Sequence, residues 1–106
     1  MPVQPKSIED YQRVWAMYDK DGTGYIPVEK LDALLVTLSE CEPDEGGALI
    51  PFKSRMQDKK FRNRQIIYLG IPTYENMKKV MFYDVLMKLL FQAIKLFYQQ
   101  DEIKKM

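Results

Sequence analysis

Apolar residues recur three and four positions apart from Ile8 to Tyr18, through Tyr11 and Trp15, and this period predicts a helix. Ser7, followed by Ile-Glu-Asp, reads as its start, a side-chain cap with acids in the first turn. Asp-Gly-Thr-Gly should end it at Asp19. The same spacing returns from Val28 to Ser39, where Leu31, Leu34, Leu35 and Leu38 share one face behind Pro27. Residues 40–51, ECEPDEGGALIP, break the period with two prolines and two glycines and predict a surface connector. A third helix is expected from Phe52 to Tyr68, with Met56, Phe61, Ile66 and Ile67 as its apolar contacts. It should stop at Leu-Gly-Ile-Pro. A second loop, Thr73 to Asp84, leads into a long closing helix from Phe82 to Ile103. The pattern predicts an all-α domain over residues 7–104, with helix–loop–helix units at 7–39 and 52–104.

The first loop, DKDGTGYIPVEK, carries chemistry. A calcium-binding EF-hand loop sets oxygen ligands at positions 1, 3, 5, 7, 9 and 12, with a glycine at 6. Counting from Asp19 places Asp21 at 3, Thr23 at 5, Gly24 at 6 and the Tyr25 carbonyl at 7. These four residues, Asp19, Asp21, Thr23 and Tyr25, are the candidate metal ligands. Pro27 at position 9 has no side-chain oxygen, and Lys30 at position 12 puts a cation where a bidentate carboxylate belongs. No cofactor is expected; calcium, if held at all, should bind weakly. Ile26 at position 8 is the apolar residue that pairs with a second loop. Val80 is its counterpart, which puts Thr73 at 1, Glu75 at 3, Lys78 at the turn position and Asp84 at 12 of the second loop. The fold expectation is therefore a paired EF-hand with a short two-stranded pairing between its loops.

Composition narrows the chemistry. The 106 residues are 46% hydrophobic, which suits one domain with a real core. There is no histidine and one cysteine, Cys41, which excludes a catalytic triad, a Cys-His pair and a His-ligated zinc site. No acid–base constellation speaks for an enzyme. The lone thiol favours a reducing compartment. Net charge is +1, so no overall field points to nucleic acid. The halves differ, at net −6 for residues 1–50 and net +7 for residues 51–106. Much of the positive charge lies in Lys53, Arg55, Lys59, Lys60, Arg62 and Arg64. Of these, Lys59, Lys60, Arg62 and Arg64 are the candidate partner-binding cations. Leu90, Ile94, Phe97 and Tyr98 are the candidate partner-binding apolar residues, because the last helix has only a narrow polar stripe of Asp84, Lys88, Gln92, Lys95, Gln99 and Glu102. That stripe also makes the segment a poor membrane span.

YQRVWAMYDKDGTGYIPVEKLDALL resembles the cytoplasmic EF-hand segment that follows the last transmembrane helix of four-repeat voltage-gated cation channels. Calcium-channel pore subunits are most similar, with sodium and sodium-leak channels as relatives. The matching residues are Trp15, Tyr18-Asp19, Thr23-Gly24 and Ile26. KSRMQDKKFRNRQIIYLGIPTYENMKKVMFYDVLMKLLFQAIK is similar to that family's basic helix, turn, degenerate second loop and closing helix, through Ile71-Pro72, Val80, Phe82, Leu86, Met87, Leu89 and Ala93. Asp21-Gly22 and Lys30 depart from the family pattern. The resemblance covers residues 8 to 98. It implies a regulatory module at the cytoplasmic face of a membrane, coupling calmodulin or intracellular signals to gating. Implied partners are other cytoplasmic segments of the same channel, with calmodulin nearby; an anionic membrane surface is a further candidate contact. The alternative is a free-standing EF-hand adaptor, similar to a light chain or centrin, that binds an amphipathic target helix.

Overall fold

The computed structural model describes residues 5–42 and 49–105, with side chains from Lys6 to Gln99 outside that gap. Helix α1 spans Pro5–Tyr18, strand β1 Tyr25–Pro27, helix α2 Leu31–Ser39, helix α3 Lys59–Leu69, strand β2 Lys79–Met81 and helix α4 Phe82–Lys105. The chain is thus mostly helical, with one small antiparallel sheet. Its register sets Tyr25 opposite Met81, Ile26 opposite Val80 and Pro27 opposite Lys79. Pro27 has no N–H to donate, and the pairing continues past it through Val28 N–H to the Lys78 carbonyl at 2.8 Å.

The core lies between the helices, directly beneath this sheet. Tyr11, Val14 and Trp15 of α1 meet the four leucines of α2, Ile26, Val80, and Val85, Leu86 and Leu89 of α4. Tyr11 and Trp15 also form an aromatic cluster with Phe82, with centroid separations of 5.0 Å from Tyr11 and 5.4 Å from Trp15 to the Phe82 ring. The phenol of Tyr11 is fully buried and donates to the Phe82 carbonyl at 2.9 Å, fastening α1 to the first turn of α4. Burial without a charge partner pushes its pKa far up, so it stays a neutral donor.

Several local expectations are corrected. The first helix begins at Pro5, so Ser7 sits inside its first turn, and its buried hydroxyl makes no hydrogen bond among the described residues. Val28–Lys30 is a 3₁₀ turn leading into α2. The third helix starts at Lys59, seven residues later than the basic run suggests, after a separate 3₁₀ turn at Lys53–Arg55. The reason is Asp58, which takes an extended backbone and accepts the Lys60 N–H at 2.9 Å as the N-cap. Ile67, expected among the apolar contacts of this helix, is 79% exposed. The connector also differs: Leu49 and Ile50 are buried in the core, whereas residues 43–48 lie outside the described residues. The apolar pair at 49–50 follows the glycines and joins the same core cluster as the leucines of α2 and Phe61 of α3.

Candidate functional site

The first loop is organised around one carboxylate. Asp19 Oδ1 accepts the Thr23 N–H at 3.0 Å and lies 3.0 Å from the Thr23 hydroxyl. Its Oδ2 accepts the Trp15 indole N–H at 3.1 Å and the Gly24 N–H at 2.8 Å. Gly22 and Gly24 make this wrap possible, with φ of 65° and 85°. The Thr23 hydroxyl also lies 3.0 Å from the Tyr25 carbonyl, and its single proton serves one acceptor at a time. Burial works against the Asp19 charge. The hydrogen bonds from Gly24, Thr23 and Trp15 together outweigh it and hold this carboxyl below the ordinary carboxylate range.

Of the four expected ligands, Asp19, Thr23 and Tyr25 are thus brought together, and Asp21 stands exposed. This donor set does not fit calcium. An ionised carboxylate offers about four lone-pair sites, and three N–H donors of the chain already engage Asp19, with the Thr23 hydroxyl as an alternating fourth. Among the described residues, no group of three or more acidic, cysteine or histidine side chains could hold a metal ion. The later positions that would have to complete the shell are a proline and an exposed lysine, Pro27 and Lys30.

The second loop has a different shape from the first. Tyr74 and Lys79 bridge each other, with Tyr74 N–H to the Lys79 carbonyl at 2.9 Å and Lys79 N–H to the Tyr74 carbonyl at 3.1 Å. The turn between them runs through three consecutive left-handed residues, Glu75, Asn76 and Met77, with φ of 50°, 58° and 64°. The sharp turn therefore falls before Lys78, where the spacing had placed it. The two acids expected as ligands serve the fold. Glu75 pairs with the Lys79 ammonium at 3.2 Å, and Asp84 accepts the Tyr74 hydroxyl. That hydrogen bond, with burial and the nearby negative charge, raises the pKa of Tyr74. The Tyr74 ring also meets the edge of Tyr25 at 5.6 Å, joining the two loops beside the strands.

The candidate contact surfaces divide. Lys59, Lys60 and Arg64 are exposed on α3. Arg62 is not free: its Nε and Nη2 hold Asp32 of α2 at 2.7 and 3.3 Å, and its Nη1 donates to the Met56 carbonyl at 2.7 Å. This bidentate fork couples α3 to α2, so Arg62 is withdrawn from the partner-binding set. Asp32 lies 30 residues away, and nothing in the local pattern marks the pair. On α4, Leu90 packs against the core, whereas Ile94, Phe97 and Tyr98 are exposed. Phe91, part of the apolar cover of this helix but outside the candidate contact set, is 63% exposed beside them. Its position on the outer arc of the helix was the available signal.

No protein-family model matches this chain, and no curated protein matches it. Among the described residues, no helix is long and apolar enough to cross a membrane.

Proposed function

We propose that the chain is a paired EF-hand whose loops act as joints, serving as a regulatory interaction module at the cytoplasmic face of a voltage-gated cation channel of the calcium-channel type. In this reading it relays calmodulin or other intracellular signals to the gate without depending on calcium of its own. The observation that supports it most is the treatment of the two loops. They are joined through Ile26 and Val80, yet their acids are spent on the chain itself: Asp19 on Trp15, Thr23 and Gly24, and Asp84 on Tyr74. A loop satisfied in this way keeps the helices in place and leaves the outer surfaces of α3 and α4 to carry the interactions. The channel assignment itself rests on the sequence resemblance over residues 8 to 98.

Sequencing of the full-length transcript tests the assignment. The expected result is an open reading frame that runs upstream into a long apolar helix and downstream into an Ile-Gln calmodulin-binding motif. A reading frame that starts at Met1 and stops after Met106 contradicts it and favours a free-standing adaptor.

A further inference from the structure

Helix α4 has two apolar faces and one polar margin. Successive residues turn by about 100° around the helix. The inner face, Val85, Leu86, Leu89 and Ala93, is buried. The opposite arc presents Met87, Phe91, Ile94 and Tyr98, all exposed, over a length of about 17 Å at the helical rise, with the exposed Phe97 at the edge between this arc and the inner face. Between the two faces, on the side toward α3, runs the margin of Lys88, Gln92 and Lys95. The Gln92 side-chain amide donates to the Gln65 side-chain oxygen Oε1 at 2.7 Å, and the Lys95 ammonium lies 3.5 Å from the Tyr68 hydroxyl. A shallow depression of about 450 Å³ opens here, with Lys88, Lys95, Phe91 and Tyr68 around it and no acidic residue in its lining. The one acid earlier on this margin, Asp84, is taken by Tyr74.

We infer that the outer face of α4 is a docking site for a partner helix that is amphipathic and acidic along one flank. Its apolar ridge lies on Phe91, Ile94 and Tyr98, and its carboxylates meet Lys88 and Lys95 over the depression.

Charge placement selects this occupant over a second copy of the chain. Two copies of α4 paired antiparallel about a two-fold axis bring like margins together, so lysine faces lysine. Paired in parallel, each lysine margin covers the opposite edge of its mate, near Leu90 and Phe97, where no acid stands among the described side chains to meet the desolvated ammonium groups. A partner with carboxylates on one flank satisfies both cations, as flanking charges do in paired helices. A lipid surface is served best by cations on both sides of an apolar stripe, and here the far side turns into the core. The inference deepens the interaction-module reading and rests on it, but it does not need the parent chain to be a channel.

The test uses three labelled helical peptides of about 18 residues, roughly five turns, sharing one leucine ridge and differing in a flank of glutamate, glutamine or lysine. Binding is followed by fluorescence anisotropy. The glutamate peptide is expected to bind at least about tenfold more tightly than the lysine peptide, with the advantage shrinking in high salt. Phe91→Ala and, separately, Tyr98→Ala should weaken it while leaving the circular dichroism and the amide NMR fingerprint unchanged. The pair Lys88→Glu and Lys95→Glu should reverse the order of the charged peptides. Equal binding of all three peptides, or binding of none, overturns the inference. Loss of binding through Lys60→Glu and Arg64→Glu, with Phe91→Ala neutral, also overturns it but leaves an interaction module working through α3. Phosphatidylserine vesicles binding in place of the peptides would assign the face to a membrane. A dimer in sedimentation velocity that Phe91→Ala dissolves would assign it to a second copy.

Discussion

Ile26 lies directly opposite Val80 in the antiparallel pair, and both side chains are closed to solvent beneath the two loops. This contact joins segments 54 positions apart and sits at the centre of the core, so each half depends on the other. Ile26→Ala should cost about 2–5 kcal/mol, from lost burial plus the cavity left behind. Combined with Val80→Ala it should fall short of additivity by about 0.5–1 kcal/mol, since the two share one contact. Urea unfolding of the single and double variants measures both quantities, and full additivity would separate the two residues.

Arg62 and Arg64 stand two residues apart in one basic run and have different work. Arg62 bridges to Asp32 and to the Met56 carbonyl, and Arg64 is exposed. Arg62→Ala leaves Asp32 and that carbonyl without their donor, so it should lower the urea midpoint clearly. Arg64→Ala should leave the midpoint nearly unchanged, as surface substitutions generally do. Arg62→Lys should recover part of the loss only, because an ammonium cannot reproduce the guanidinium fork.

Met77 holds a left-handed backbone with its side chain exposed. A non-glycine residue there carries about 1–2 kcal/mol of steric cost, partly offset by the greater unfolded-state freedom of glycine. Met77→Gly should therefore raise stability by about 0.5–1 kcal/mol in thermal or urea unfolding, with no loss of packing.

Asp19 ties stability to pH. Its folded pKa lies below its unfolded value, so its contribution is fully present above the ordinary carboxylate range. It is lost as pH falls through the folded value, when protonation removes the acceptor from Trp15 and Gly24. Carboxyl-carbon NMR titration should place the Asp19 midpoint below that of an unfolded peptide. Asp19→Asn should be less stable than the parent protein near neutral pH, with the difference closing in strong acid.

The helical and strand positions were largely written in the chain because they depend on local spacing. The leucines of α2 and the facing of Ile26 and Val80 follow from periods of three to four residues and from one loop count. The third helix was placed too early because a run of cations resembles an exposed helical face, whereas the boundary is set by one capping carboxylate, Asp58. Asp58 directly ahead of Lys59 and Lys60 is the local signal of that boundary, a residue type that caps helix N-termini. The Arg62–Asp32 fork and the Tyr74–Asp84 bond were beyond local reading, since tertiary packing decides which of several equivalent cations or acids meets a partner. At the first loop, the spacing identified Asp19 but not its donors. Whether a carboxylate faces a metal or its own backbone depends on geometry that the glycines permit without dictating.

Calcium titration tests the central claim most directly. Trp15 donates to Asp19, so its fluorescence reports on the carboxylate that any bound ion would have to recruit. Calorimetry and Trp15 emission should show no saturable response in the range of roughly 10⁻⁷–10⁻⁵ M where sensor loops fill. A stoichiometric, saturable heat in that range, with a matching change in Trp15 emission, would contradict the account of the loops as metal-free joints.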